Sequence, residues 1–222
     1  MNFGLAFSYV FKDKDWFKKI LMPALCMLIP VVGQFVVIGW GLKITKRVID
    51  GYEEDALPNL EFGADLKNGF LAAVIQTIYF IPIGIIIGIA GGMLSFGMSD
   101  EGALYTILMI LGGCIGLVGL LLAILIAFLS VAGVANFVAK GVFGAAFRIK
   151  EVFGLVKKAF GSWLLYIIIQ SLVVGIIAPL GAIACFVGVF LTAIFANAVN
   201  NHLLGQVYNK ATTPALESVE VL

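Results

Sequence analysis

The chain has 222 residues, of which 62% are hydrophobic and 12% are charged, and its mean hydropathy is +1.10. Soluble globular domains are roughly half apolar and a quarter charged, so this composition excludes an ordinary water-soluble fold. The net charge of +1 says little as a total, but the positions of the charges along the chain are informative.

Basic stretches alternate with apolar blocks. The blocks 20–42, 69–139 and 162–204 contain no lysine or arginine, and all fourteen such residues lie outside them. A membrane-crossing helix needs about 20 apolar residues. The sequence therefore predicts an all-α, polytopic helical membrane bundle in a single membrane domain, 1–222. We expect four crossing helices plus a proline-broken re-entrant hairpin, with five crossings as the alternative.

The predicted segments follow from the same pattern. In chain order they are an interfacial amphipathic helix (1–19), a re-entrant or crossing segment (20–42), a cytoplasmic loop (43–68), a first hairpin (69–94 and 103–139), a second interfacial helix (140–161), a second hairpin (162–179 and 181–204) and a cytoplasmic tail (205–222). The connector of the first hairpin is expected at 95–102. The second hairpin is expected to turn at Pro179, because proline stops helices.

The first apolar block is interrupted by Pro23, Pro30, Gly33 and Gln34. Lysine and arginine close to membrane spans are retained in the cytoplasm. If this block dips into the membrane and returns, all basic residues lie on one side, whereas a crossing places the N-terminal lysines outside. The charge pattern thus favours the re-entrant hairpin, and a single crossing stays open as the alternative.

Glycines recur every four residues in the first hairpin. They are Gly84, Gly88 and Gly92 in its first helix and Gly112 and Gly116 in its second. Small residues on one face let helix backbones approach closely in a membrane. We expect these two faces to pack against each other within one chain, with a homo-oligomer interface as the alternative.

Each apolar block follows a stretch that mixes aromatic residues with lysines. In the third stretch, Ile149, Phe153, Val156 and Phe160 share one helical face. Such a helix can lie in the headgroup layer with its lysines toward anionic lipid. Candidate lipid-headgroup contacts are Lys18, Lys19, Lys157 and Lys158. A plain membrane anchor without lipid recognition is the simpler interpretation.

The polar residues inside the apolar blocks are mainly amides, and no carboxylate lies at depth. Gln34, Gln76, Asn136 and Gln170 are candidates to line a polar cavity. Pumps and ion-coupled transporters usually place ionisable residues in the bilayer, so a pump is not expected. Internal hydrogen bonds between helices are the structural alternative for each amide.

No arrangement of reactive side chains predicts an enzyme. His202 is the single histidine and has no serine, cysteine or acid placed by sequence to act with it, so we expect an interfacial, hydrogen-bonded histidine. The acidic run 50–55 lacks calcium-loop spacing and is expected to be a solvated loop that balances Lys43, Lys46 and Arg47. We expect no catalytic residue, no bound metal and no cofactor.

Several short motifs carry a resemblance to a known family. They are the run Tyr9–Lys19, Ile29-Pro30-Val31-Val32, Gly39-Trp40, Arg47–Gly51 and Leu57-Pro58. Together they resemble the uncharacterised prokaryotic integral-membrane family called domain of unknown function 4013 (DUF4013), over residues 1–85. The chain departs from the family at Trp40, where a tyrosine is expected, and lacks an aromatic residue soon after Pro58. The resemblance implies a prokaryotic cytoplasmic membrane and carries no chemistry.

The sequence favours a non-catalytic integral membrane protein with a scaffold, accessory or lipid-organising role. The alternative is a channel or facilitative transporter for a small neutral solute. Expected partners are membrane lipids and either another protein or a second copy of the chain, with no nucleic acid. The expected location is the cytoplasmic (inner) membrane of a prokaryote, multi-pass, with the basic face and the C-terminus in the cytoplasm.

Overall fold

The computed structural model describes residues 1–98, 102–181 and 185–213. Within these ranges every regular element is helical and none is a strand, which confirms the all-α prediction. The helices are α1 Phe3–Lys12, α2 Trp16–Cys26, α3 Val32–Ile49, α4 Phe62–Gly97, α5 Ala103–Lys140, α6 Ile149–Lys158, α7 Phe160–Leu172, α8 Ala178–Leu180 and α9 Cys185–Thr212. A 3₁₀ turn at Phe143–Phe147 precedes α6, and a π-helical turn at Val173–Ile177 joins α7 to α8.

Three of the described helices are long and apolar enough to cross a membrane. They are Phe62–Gly97, Ala103–Lys140 and Phe160–Ile177, and only 22%, 17% and 22% of their most apolar stretches are buried inside the protein. Most of their side chains therefore face outward, where only an apolar solvent such as lipid accommodates them without cost. The helical membrane bundle is confirmed at this level, while the number of crossings stays a prediction.

The chain forms two compact units. The first comprises 1–73 and 132–222, and the second comprises 74–131. The core of the first unit lies between α1, α2, α3 and α9, around the buried side chains of Tyr9, Trp40, Ile44 and Ile194. The single membrane domain stays a prediction.

Helix α3 is packed on three sides through glycines. A Cβ atom on Gly33 would overlap the backbone carbonyl of Cys26 in α2, and one on Gly39 would overlap that of Asp65 in α4. On Gly41 it would overlap the side chains of two asparagines of α9. Because each neighbour is backbone or tightly bonded, these positions accept only glycine without a shift of a helix.

The first apolar block is divided between two helices. α2 ends at Cys26 and α3 begins at Val32, with Pro30 in the break and Val31 in the left-handed region at φ 64°. Such a conformation is strained for a β-branched residue and persists only where the surroundings impose it. The break falls where Pro30 predicts it, whereas Pro23 lies inside α2 without ending it.

Helices extend into the predicted loop at 43–68 from both sides. α3 continues to Ile49 and α4 already begins at Phe62, which leaves a linker of 50–61. Buried Asp65 stabilises the start of α4, because its Oδ2 accepts from the backbone N–H of Glu61 (2.7 Å). Its Oδ1 lies 2.9 Å from Lys43 Nζ, and this ion pair connects α4 to the middle of α3.

The acidic linker is neutralised by neighbouring cations. Arg47 pairs with Asp55 (2.8 Å), Lys46 with Asp50, and Lys12 with Glu54 (3.1 Å). The predicted balance between this run and Lys46 and Arg47 is therefore present. Lys43 instead forms an ion pair with Asp65.

Both predicted interfacial segments contain more than one element. The segment 1–19 holds α1 and the first turn of α2, and 140–161 holds the 3₁₀ turn and α6. At the other end of the chain, α9 continues to Thr212 instead of ending in a tail at 205, and Val207 and Ala211 are buried. The end of the predicted tail, 214–222, and part of the predicted connector, 99–101, lie outside the described residues.

Of the glycines predicted to pack in the unit 74–131, those of α5 lie against the neighbouring helix, whereas those of α4 do not. Gly112 of α5 approaches Ala90 and Leu94 of α4, and Gly116 approaches Ala90. The α4 glycines predicted to meet them face open space instead: Gly84, Gly88 and Gly92. The row that contacts α5 is offset by two residues from these glycines, which is about 200° around a helix and therefore nearly the opposite face.

We predict that Gly39→Ala destabilises the protein by about 1–3 kcal/mol, because the added methyl overlaps the Asp65 carbonyl and forces α3 and α4 apart. Gly84→Ala is the matched control, and it changes stability by no more than about 1 kcal/mol, since its methyl meets open space. Thermal unfolding in detergent, followed by size-exclusion chromatography, measures both. A Gly39→Ala midpoint equal to that of the wild type would contradict the close α3–α4 packing.

Candidate functional site

The hairpin formed by α2 and α3 has an apolar outer surface. Ile20 and Ala24, four residues apart, face the core, whereas Phe17 at the start of α2 and Leu25 near its end are about half exposed. The tip between the two helices is also apolar and exposed: Leu28, Ile29, Pro30, Val31 and Val32. The exposed surface is continuous in sequence from α2 to the tip, and it is too large to be accounted for by scattered surface residues.

The two legs of this hairpin are short, and the first turn of α2 carries Lys18 and Lys19. α2 has 11 residues, and at a rise of 1.5 Å per residue it measures about 17 Å. The apolar part of α3, from Val32 to the residue before Lys43, is equally long. The hydrocarbon core of a bilayer is about 30 Å thick, so each leg matches roughly one leaflet.

Two neighbouring lysines at the open end of the hairpin differ in their surroundings. Lys19 forms an ion pair with Asp13 (2.5 Å), donates to the Leu57 carbonyl (3.0 Å), and has a side chain only 16% exposed. Burial opposes ionisation of Asp13, but the hydrogen bonds from Lys19 and from the backbone N–H of Asp15, together with the positive charges of Lys19 and Arg47, outweigh burial and lower the pKa of this carboxyl. Lys18 is exposed and has no ion pair within the described residues. Of these two predicted headgroup contacts, only Lys18 has an exposed ammonium group without an internal partner in the described residues.

A groove of about 320 Å³ lies beside Lys18, between the start of α2 and the linker that leads to α4. Its lining residues are Asp15, Lys18, Lys19, Met22, Asn59 and Leu60. The groove thus combines charged and amide groups with two apolar side chains.

Helix α6 presents a second exposed apolar surface. Its protein-facing side consists of Val152, Leu155 and Val156, and the Trp163 indole N–H donates to the Leu155 carbonyl (3.1 Å). Of the predicted aromatic face, Val156 is buried, whereas Ile149, Phe153 and Phe160 are about half exposed. The predicted face is therefore divided between the core and the outside, because the buried arc is centred on Val152 and Leu155.

The charges of α6 flank this exposed surface. Lys157 and Lys158 are exposed in its last turn and have no ion pair within the described residues. Glu151 bonds to Lys140, and this hydrogen bond lowers the pKa of the Glu151 carboxyl. With its single carboxylate paired to α5, the exposed side of α6 is basic.

The four amides predicted to line a polar cavity lie in different environments. Asn136 is fully buried, where its Nδ2 donates to the Ala145 carbonyl (2.9 Å) and its Oδ1 accepts from the Tyr208 hydroxyl (3.0 Å). Gln34 and Gln76 are exposed, and Gln170 is half-buried. Gln76 belongs to the unit 74–131 and the other three to the first unit. Asn136 has a structural role, and the cavity stays a prediction.

His202 is hydrogen-bonded, as predicted, but it is fully buried. Its Nε2 lies 2.8 Å from the Glu53 carbonyl, which can only accept, so Nε2 carries the proton. Nδ1 then accepts from Gln206 Nε2 (3.1 Å), while Gln206 Oε1 accepts from the backbone N–H of Asn2 (2.7 Å). The Tyr9 ring lies 4.4 Å from the imidazole. This network ties the N-terminus, the acidic linker and α9 together, and sequence spacing gives no signal for it.

Within the described ranges, no three histidine, cysteine, aspartate or glutamate side chains are grouped to hold a metal ion. The described geometry instead defines an all-α protein with apolar helices of membrane-crossing length and exposed apolar surfaces beside lysines.

The chain belongs to the family described as protein of unknown function (DUF4013), whose model matches residues 22–196. The match confirms the resemblance and extends far beyond residue 85, although it begins after the aromatic and lysine-rich run 9–19 on which the resemblance was partly based. No curated protein and no solved structure matches the chain.

We predict that acidification destabilises the protein through His202, whose Nε2 bonds to the Glu53 carbonyl of the charged linker 50–61 at the polar end of α9. Burial lowers its pKa, despite the opposing hydrogen bond to the Glu53 carbonyl. Below a pH of about 6.5 the histidine is protonated in the unfolded state but stays neutral in the folded state, because its folded-state pKa is lower. The free energy of unfolding therefore falls by up to about 1.4 kcal/mol per pH unit.

Thermal unfolding between pH 7.5 and 5.5 measures this effect, with His202→Gln as the control. The variant is less stable throughout, but its midpoint varies less with pH because the chain has no other histidine. An equal pH dependence in both proteins would assign the effect to other groups.

Proposed function

We propose that this chain is a non-catalytic integral membrane protein of the prokaryotic cytoplasmic membrane that organises lipid at its cytoplasmic face. A scaffold or accessory role toward another protein belongs to the same class. One observation carries the proposal. On two separate elements, exposed aromatic side chains lie within about one helical turn of exposed lysines without ion pairs in the described chain: Phe17 with Lys18 in α2, and Phe153 with Lys157 in α6.

The physical basis is the boundary between hydrocarbon and headgroups. Burying an exposed aromatic or aliphatic side chain there contributes about 25 cal/mol for each Å² removed from water. A lysine near an anionic membrane surface contributes about 1 kcal/mol. The two contributions combine only if the side chains lie side by side, as Phe153 and Lys157 do at a spacing of four residues in α6.

The alternative function, a channel or facilitator for a small neutral solute, needs polar groups free to meet the solute. Asn136 uses its side-chain amide for protein partners. No specific contact in the described residues favours this alternative, so it serves as an outcome of the test.

For topology, we propose that the α2–α3 hairpin enters one leaflet and returns to the cytoplasmic side. Its legs of about 17 Å and its apolar tip support this arrangement. All fourteen basic residues, and the C-terminus, then lie in the cytoplasm, in agreement with the positive-inside rule.

Cysteine labelling in intact cells tests this topology in a variant whose three native cysteines are replaced. Lys14→Cys and Lys157→Cys are expected to react only after the membrane is permeabilised, whereas Met98→Cys, at the end of α4, reacts from outside. Reaction of Lys14→Cys with an external reagent would show that 20–42 crosses the membrane, and the five-crossing arrangement would replace the re-entrant one.

Native purification with identification of bound lipids and proteins tests the function. The wild type is expected to enrich anionic phospholipid over the bulk membrane, and Lys157→Gln/Lys158→Gln is expected to reduce that enrichment. Lys46→Gln/Arg47→Gln is the matched control, since these cations are already paired with Asp50 and Asp55.

A channel or facilitator gives a different result in the same experiment. If one small neutral solute is recovered with neither lipid nor protein enriched, and proteoliposomes admit that solute faster than empty vesicles, the chain is a facilitator.

A further inference from the structure

The groove at the start of α2 contains an opposite pair of unused charges. Lys19 is neutralised by Asp13 at 2.5 Å, which leaves Lys18 and Asp15 as the remaining charged lining residues. Neither forms an ion pair with any residue that the structure describes. Counting Lys18 and Lys19 against Asp13 and Asp15, the groove has no net charge, so a purely anionic ligand is not its complement.

The other residues that line the groove fit a ligand with one polar end and one apolar end. Asn59 contributes an amide, whereas Met22 and Leu60 form an apolar wall. Met22 is itself 43% exposed, and the apolar surface continues along α2 through Leu25 to the hairpin tip. A ligand in this groove therefore has a charged end between Asp15 and Lys18 and an apolar end that follows α2.

We propose that the groove binds the headgroup of a zwitterionic aminophospholipid. Lys18 Nζ pairs with the phosphate, the Asp15 carboxylate pairs with the ammonium group, and the acyl chains lie along the outer face of α2. This inference rests on the proposed function, because it requires the α2–α3 hairpin to be in lipid. It goes further by assigning a lipid class to a defined site, whereas the exposed cations of α6 favour anionic lipid generally.

Lipid competition in nanodiscs, read out by native mass spectrometry, tests the site with phosphatidylethanolamine and phosphatidylglycerol of identical acyl chains. In the Lys157→Gln/Lys158→Gln variant, which lacks the exposed cations in the last turn of α6, phosphatidylethanolamine is expected to be retained about tenfold more strongly than phosphatidylglycerol, the ratio that one hydrogen bond between charged groups supplies. Adding Asp15→Asn to this variant is expected to bring the two lipids to parity, since the ammonium loses its partner and the glycerol phosphate is no longer repelled.

Two further variants separate the phosphate contact from general charge. Lys18→Gln is expected to weaken retention of both lipids, and Lys14→Gln, which removes an exposed lysine outside the groove lining, leaves the ratio unchanged. A competition on the wild type alone needs no variant to fold: soluble phosphoethanolamine displaces the bound lipid, and glycerol phosphate does so about tenfold less well.

The proposal is overturned if the Lys157→Gln/Lys158→Gln variant retains phosphatidylglycerol as strongly as phosphatidylethanolamine, or if adding Asp15→Asn to it leaves the ratio unchanged. It is also overturned if inorganic phosphate displaces the lipid as well as phosphoethanolamine does, because the groove would then be a simple phosphate site. If these results occur while the Lys157/Lys158 variant still reduces lipid enrichment, the groove assignment fails and the proposed function stands. Solute flux without lipid enrichment is the result that removes the proposed function itself.

Discussion

The close approach of α3 to its neighbours is the constraint on which the first unit depends. Within lipid, no hydrophobic effect drives helices together, so packing must come from backbones that fit closely and from hydrogen bonds. Gly33 allows α2 to approach closely, and Gly39 does the same for α4. Trp40, which follows Gly39, is fully buried and donates its indole N–H to the Pro58 carbonyl (3.1 Å). The same helix therefore fixes the hairpin and the linker that forms one wall of the groove.

Hydrogen bonds close the other side of α3. Thr45 donates to Asn201 (3.0 Å), and Asn209 donates to the Val48 carbonyl (2.9 Å), so the polar half of α9 is matched to the polar half of α3. Buried polar groups are tolerated where they find partners of this kind. Among the described residues, the buried oxygens Asp65 Oδ1 and Asn200 Oδ1 lack a hydrogen bond, although Asp65 Oδ1 lies 2.9 Å from Lys43 Nζ. The outer surface of the protein presents apolar side chains and lysines without ion pairs.

The sequence predicted the solvent, the helical class and the break at Pro30, because composition and proline act locally. Other features depend on partners distant in the chain. Helix α9 continues to Thr212, past the predicted end of the span at 204. In that part of α9, Gln206 accepts from the backbone N–H of Asn2, and Asn209 donates to the Val48 carbonyl. Periodicity also places Gly84, Gly88 and Gly92 on one row, but it does not say which row meets a neighbour.

The candidate site shows the same limit on the scale of single residues. Lys18 and Lys19 are identical in type and adjacent in sequence, yet about 100° of helical rotation separates them. That rotation directs Lys19 inward to Asp13 and the Leu57 carbonyl, and leaves Lys18 exposed beside Asp15 in the groove. The sequence does not show which lysines are paired, so every basic stretch looks like a contact for anionic lipid. Once the internal pairs are removed, α6 keeps an excess of positive charge, whereas the groove at the start of α2 is neutral and dipolar. The lipid contacts proposed for these two elements therefore differ in charge, which a total of +1 for the chain conceals.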